Sequence, residues 1–211
     1  MWDLSTIADY LGATLTARET ALREEQAVYG LDTLDELSLH KELADALAGH
    51  FAVSREVHYP SSRGNKLTHR QRCDLVLCPP GKPLKLDSAP PTLFDPPSQT
   101  DPGEALWLEV KAAYQFREGG LRHSGYGQQW RSGVVKDLQK MEADPLIRHA
   151  GLLLVVFTES MEVLEKDLFL FEDLLIGKGV IAGFRQVRSA EILERMGHRF
   201  CSVALWPTIQ R

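Results

Sequence analysis

Two stretches decide the fold: Leu106-Trp-Leu-Glu-Val-Lys111 and, upstream of it, Arg72-Cys-Asp-Leu-Val-Leu77. Both read as short strands, because successive strand side chains point to opposite faces. The first places Leu106, Leu108 and Val110 on one face and Trp107, Glu109 and Lys111 on the other. The second places Cys73, Leu75 and Leu77 opposite Asp74 and Val76. If the two strands pair, Asp74 sits beside Glu109 at one end of the ladder. Two carboxylates and an ammonium then converge.

Two carboxylates joined by a backbone carbonyl such as that of Val110 suit a hard divalent cation, Mg2+ or Mn2+, which keeps several waters. A lysine beside the ion can hold an attacking water and neutralise charge building on a phosphate. The chemistry this implies is phosphodiester hydrolysis. The plainer reading is a solvated salt bridge worth ~0 to 1 kcal/mol. Two features weigh against it: Lys111 alone among the lysines has an acid two residues before it, and both acids lie inside apolar strands, where a charge needs partners.

Asp74 followed by Glu109-Val-Lys111 resembles the PD-(D/E)xK nucleases, the restriction-endonuclease-like superfamily, with Asp74 matching the first acid and Glu109 and Lys111 the second half-motif. Cys73 stands where the family pattern has proline. The resemblance covers roughly residues 33–158. It implies an α/β fold, a restriction-endonuclease-like αβββαβ core with a mixed central sheet flanked by helices. N-terminal helices and a C-terminal helix and strand extension complete it. Catalysis is assigned by the same resemblance to Asp74, Glu109 and Lys111, with Glu42 as a third acid, and metal binding to Asp74, Glu109, Val110 and Glu42.

The chain has 211 residues, 44% hydrophobic and 25% charged, enough for one domain with one core. Within it, residues 1–31 read as a helical appendage, 33–158 as the core, 79–103 as a loop insertion and 159–211 as an extension. A net charge of -5 argues against a histone-like binder, but a nuclease needs only a local basic footprint. Arg55, Arg63, Lys66, Arg70 and Arg72 stand against Glu56 alone just before Asp74. This run is read as nucleic-acid contact or as a solvated loop. Cys73, Cys78 and Cys201 have no Cys-x-x-Cys spacing, so they are expected to be reduced core residues. No leader pattern and no long apolar run is seen, which gives a cytoplasmic expectation with no membrane partner.

In chain order, a helix is expected over Ser5–Leu11, stopped by Gly12, and a second from the capping-box pattern at Thr16 to Gly30. A similar box at Thr33 opens a helix to about Gly49 with Leu39, Leu43, Ala46 and Leu47 in its stripe. Glu42 falls in that stripe, aimed at the site or solvated at its edge. Phe51–Tyr59 reads as a strand in which Glu56 plays a supporting part, and Ser61–Asn65 as its turn. Eight prolines between Cys78 and Gly103 exclude regular structure. Leu93 and Phe94 are an apolar pair there, free to dock or disordered with the loop.

Residues 114–127 form a basic loop with Arg117, Arg122 and His123. A helix from Gln128 buries Trp130, Val134, Leu138 and Met141, and carries Lys136 and Lys140 toward the site, the DNA backbone or solvent. Leu152–Phe157 is a central strand, Met161–Ile176 a helix, Val180–Phe184 a weaker strand, Ala190–Met196 a helix and Phe200–Leu205 a last strand. No Gly-rich phosphate loop, Gly-x-Ser-x-Gly or His-Glu-x-x-His is present.

Two function classes result. One is a Mg2+-dependent nuclease, with DNA as the expected substrate and RNA left open. Its contacts would be Arg63, Lys66, Arg70, Arg72, Lys136 and Lys140, and a restriction, phage-defence or mobile-element system is its setting. The other is an inert nuclease-fold protein that binds nucleic acid or a protein. No separate recognition domain is visible, so a homodimer or a multiprotein complex is the expected partner.

Overall fold

The computed structural model describes residues 2–62, 71–85, 98–131 and 133–210. Among the described residues the strands run in chain order as β1 (Ala52–His58), β2 (Arg72–Cys78), β3 (Leu106–Tyr114), β4 (Phe116–Arg117), β5 (Leu121–Arg122), β6 (His149–Thr158), β7 (Gln186–Glu191) and β8 (Phe200–Gln210). The helices are α1 (Leu4–Glu24), α2 (Glu36–Ala48), α3 (Tyr126–Gln129), α4 (Val134–Ala143) and α5 (Met161–Gly177). Six strands form one sheet in the order β1-β2-β3-β6-β8-β7, while β4 and β5 form a separate small hairpin. Within the six-strand sheet β3 and β6 run parallel, and the other described neighbours are antiparallel. The chain is therefore an α/β protein with a mixed sheet.

Each face of the sheet has its own helices. Leu75, Leu77, Leu106, Leu108 and Val110 pack beneath α1 and α2, with Leu11, Leu39, Leu43 and Leu47 among the helical partners. Val76, Cys78, Trp107, Leu152 and Leu154 pack on the opposite face beneath α4 and α5. Covering on both faces is why β6 reads as a continuous apolar run. The order α2-β1-β2-β3-α4-β6 agrees with the sequence reading, and the three cysteines are free and buried. Among the described residues no helix is long and apolar enough to cross a membrane.

Several local expectations fail. Residues 4–24 form one helix, not two. Gly12 does not stop it. A Cβ there would lie 2.7 Å from the Cβ of Arg188 on β7, so glycine serves close packing. Thr16 is no cap either: its hydroxyl donates to the Gly12 carbonyl one turn back at 3.0 Å. The next helix starts two residues late, capped by Asp35, whose side chain accepts from the Ser38 N–H at 2.7 Å. Thr33 lies in a 3-10 turn instead.

The helix expected from Gln128 is two helices, α3 and α4, with Gly133 as the N-cap of the second. Its stripe of Trp130, Val134, Leu138 and Met141 is buried. Residues 180–184 make no strand, and residues 190–196 make no helix; β7 spans 186–191 in their place. That edge strand pairs with β8 along its whole length. Pairing with an existing strand outweighs the weak local preference of an isolated segment.

Candidate active site

The site begins where β2 leaves β3. Their recorded pairing runs from Leu77–Leu106 to Leu75–Leu108 and stops one residue short of Asp74 and Glu109. At the same level β1 and β2 change face. Val53 packs toward α1 and α2 while Val57 belongs to the opposite core, and Cys73 joins Val76 there instead of following Leu75 and Leu77. Simple alternation had put Cys73 with Leu75. Between the pairs Arg55–Leu75 and Val57–Cys73 stand Glu56 and Asp74, and Glu56 has φ +52°. A side chain in that left-handed region costs ~1 to 2 kcal/mol. The reversal accounts for the change of face.

Asp74 turns toward the end of the β2–β3 ladder, where its Oδ2 accepts the Val110 N–H at 2.8 Å. Glu109 and Lys111 project from β3 on the face of Trp107. The Lys111 ammonium lies 3.7 Å from Asp74 Oδ2 and 3.7 Å from Glu109 Oε2. Two further groups complete the cluster. Asp137 of α4 approaches Lys111 at 3.4 Å and accepts from Lys140 at 2.7 Å. The Tyr59 hydroxyl, just past β1, donates to Glu109 Oε1 at 2.7 Å.

The electrostatics follow from crowding. Burial, then a hydrogen bond and repulsion from Asp74, push the Glu109 carboxyl up to about 8. Burial acts to lower the Lys111 pKa, but Asp74, Glu109 and Asp137 outweigh it and raise it. Burial followed by nearby negative charge raises Tyr59, which keeps its proton and remains a donor. Three carboxyl groups therefore face the two ammonium groups of Lys111 and Lys140, and Glu109 is the one that keeps its proton. Ionised in full, the cluster is short of positive charge.

Comparison of the chain with family models, with curated proteins and with solved structures gave no match. The geometry must carry the reading.

The remaining candidates make other contacts, are exposed, or lie outside what is described. Glu42 makes a 4.0 Å contact with Arg18 of α1, and the α2 side chains buried in its stripe are Leu39, His40, Leu43, Ala44 and Leu47. The stripe is turned toward His40, which leaves Glu42 at its margin, and it is His40 that approaches Asp74. Arg72 is exposed and sits 4.0 Å from Glu56; Lys136 is exposed on α4. Arg63, Lys66 and Arg70 lie outside the described residues, as do Leu93 and Phe94.

Asp137, Tyr59 and His40 were missed by sequence reading, though two had a signal. Asp137 stands three residues after Val134 and four before Met141, and His40 three before Leu43 and four before Ala44, so both border buried stripes. Tyr59 had none, because its direction depends on the reversal at Glu56.

Proposed function

We propose that this protein is a metal-dependent nuclease of the PD-(D/E)xK type that hydrolyses phosphodiester bonds in DNA. The observation that carries the reading is the gathering of Asp74, Glu109 and the Lys111 ammonium at the point where β2 and β3 part. A divalent cation fits the donor set, because burial and the neighbouring Asp74 suppress the ionisation of Glu109 and a positive charge between the two carboxylates relieves it. Asp74 and Glu109 would hold it. When bound, such an ion supplies Lewis acidity and lowers the pKa of a coordinated water.

The chain's own groups supply the rest. The Val110 N–H fixes one Asp74 oxygen, and the Tyr59 hydroxyl fixes one Glu109 oxygen. With a cation in place of the Glu109 proton, the other oxygen of each carboxylate would face the ion. Lys111 is placed to hold a water by hydrogen bonding and to meet negative charge growing on a phosphate. Arg72 and Lys136, both exposed, suit backbone contact.

A second reading, an inert protein that binds nucleic acid or a partner, is favoured by the closure of the ion network, since Lys111 already faces three carboxylates. Cleavage separates the two. Plasmid and short linear duplexes incubated with Mg2+ or Mn2+ should yield products that vanish in chelator. Intact substrate under every metal condition would overturn the nuclease reading.

A further inference from the structure

Residues 180–184, Val-Ile-Ala-Gly-Phe, are apolar in sequence yet mostly outside the core. Val180 is buried, whereas Ile181 is 83% and Phe184 93% exposed. The segment is held in that position: the Gly183 N–H donates to the Pro207 carbonyl at 2.8 Å, and a Cβ on Gly183 would stand 2.7 Å from Pro207 Cγ. It forms a ridge shared by two hollows. One, of about 520 Å³, lies between the ridge and α5, with Phe169, Leu175, Ile176 and Trp206 in its wall. The other, of about 580 Å³, is bounded by Ile181, Pro207 and Ile209. Ala182, Gly183 and Phe184 line both.

The first hollow suits an apolar occupant. Its polar groups are already committed to one another: Glu172 accepts from Trp206 Nε1 at 2.9 Å and from Arg185 at 2.6 Å, and Arg185 also donates to Glu165 at 2.7 Å. The Arg185 guanidinium lies over the Phe169 ring at 4.7 Å. A polar ligand would lose its water there without gaining a free partner, whereas covering these walls with carbon orphans no buried group.

Extent and charge select the occupant. Phe169 and Ile176, 59% and 76% exposed, carry the patch along α5. At about 150 to 250 Å² per large side chain, these two with Ile181 and Phe184 leave roughly 500 Å² uncovered, the upper end of what a monomer shows. Two such patches face to face supply about 1,000 Å² of apolar centre, and a polar rim brings the contact into the roughly 1,200 to 2,000 Å² of a stable interface. The patch also carries both signs of charge. Asp173, one turn from Phe169 and from Ile176, and Lys178 just beyond are both exposed, so the surface meets a copy of itself with complementary charge. A protruding side chain and a hollow within one patch are what a two-fold contact requires, since each copy gives and receives the same contact. We propose that residues 169–184 form a homodimer interface in which Phe184 of each copy enters the other's hollow between α5 and residues 180–185. No residue of this surface belongs to the proposed nuclease site, so the inference stands without that reading.

The test is sedimentation velocity on the full chain, in chelator and without nucleic acid, from about 1 to about 200 µM. Wild type should dimerise with a dissociation constant of about 10 µM or tighter. Phe184→Asp and Ile176→Asp, both at exposed positions, should each weaken the dimer at least about tenfold with circular dichroism unchanged. Phe184→Trp, which keeps a ring for the hollow, should retain the dimer, as should Leu121→Asp at an exposed leucine outside the patch. A chain that stays monomeric to about 200 µM, which would leave the patch to a different protein or a small apolar ligand, overturns the proposal, and so does a dimer that survives both aspartates.

Discussion

Replacing Glu109 by glutamine should flatten the dependence of stability on pH. In the metal-free fold this carboxyl keeps its proton up to about 8, whereas in the unfolded chain it gives it up near 4.5. Between those values the folded state binds more protons, so stability falls as pH rises. Glu109 therefore contributes stability that is fully present below 4.5 and is lost as pH climbs through about 8. Converting the whole displacement gives an upper bound of about 5 kcal/mol, and relaxation around Asp74 and Lys111 reduces this to a few kcal/mol. Glutamine fits the same space and can still accept from Tyr59, but it cannot titrate. Urea unfolding in chelator from about pH 5 to about pH 8 should show wild-type stability falling by roughly 1 to 3 kcal/mol more than that of Glu109→Gln. Parallel curves for the two proteins would refute the argument. Saturating Mg2+ should reverse the wild-type trend, because an ion between the carboxylates stabilises the deprotonated form and is itself bound with proton release.

Lys111→Met should slow single-turnover cleavage on the order of 10² or more while metal and DNA binding persist, whereas Glu109→Ala should weaken metal binding and abolish cutting. Lys111→Met should also lose stability, since three carboxylates lose their shared counter-charge. Wild-type cutting by Lys111→Met would sink the mechanism. Gly12→Ala should destabilise by ~1 to 3 kcal/mol in chemical denaturation, against helix propensity, because its Cβ overlaps that of Arg188. Gly49→Ala, with open space around it, should change stability little.

Where a strand is buried on both faces or alternates cleanly, its sequence was legible. Leu152–Phe157 and Leu106–Lys111 fall within β6 and β3, and Leu164, Leu168, Phe171 and Leu175 line the buried side of α5. The C-terminal third was harder. Residues 180–184 look more like a strand than 186–191 do, yet Ile181 and Phe184 are largely exposed while the more polar segment pairs with β8. An edge strand takes its stability from one neighbour's backbone, which no local pattern reports. Gly12 shows the same limit: its stop signal is real in an isolated peptide and is overruled by the approach of β7.

The site divides along a similar line. Glu109 and Lys111 share a face by alternation alone, so their pairing follows from two residues of spacing. Asp137, Tyr59 and His40 depend on helix rotation and on the reversal at Glu56, which are properties of the packed molecule. The same reversal gives Asp74 its place. Where β2 turns away from β3, the Val110 N–H lies beyond the last recorded backbone pair between the two strands, and an unsatisfied amide in that half-buried place would be costly. The Asp74 carboxylate accepts it. One side chain thus closes the end of the ladder, holds the gap between the strands, and presents its charge to Lys111 on one side and to His40 on the other. Removing that carboxylate should therefore disturb the strand ending and the proposed cation site together, whereas substitution of Glu109 should reach the cation site alone.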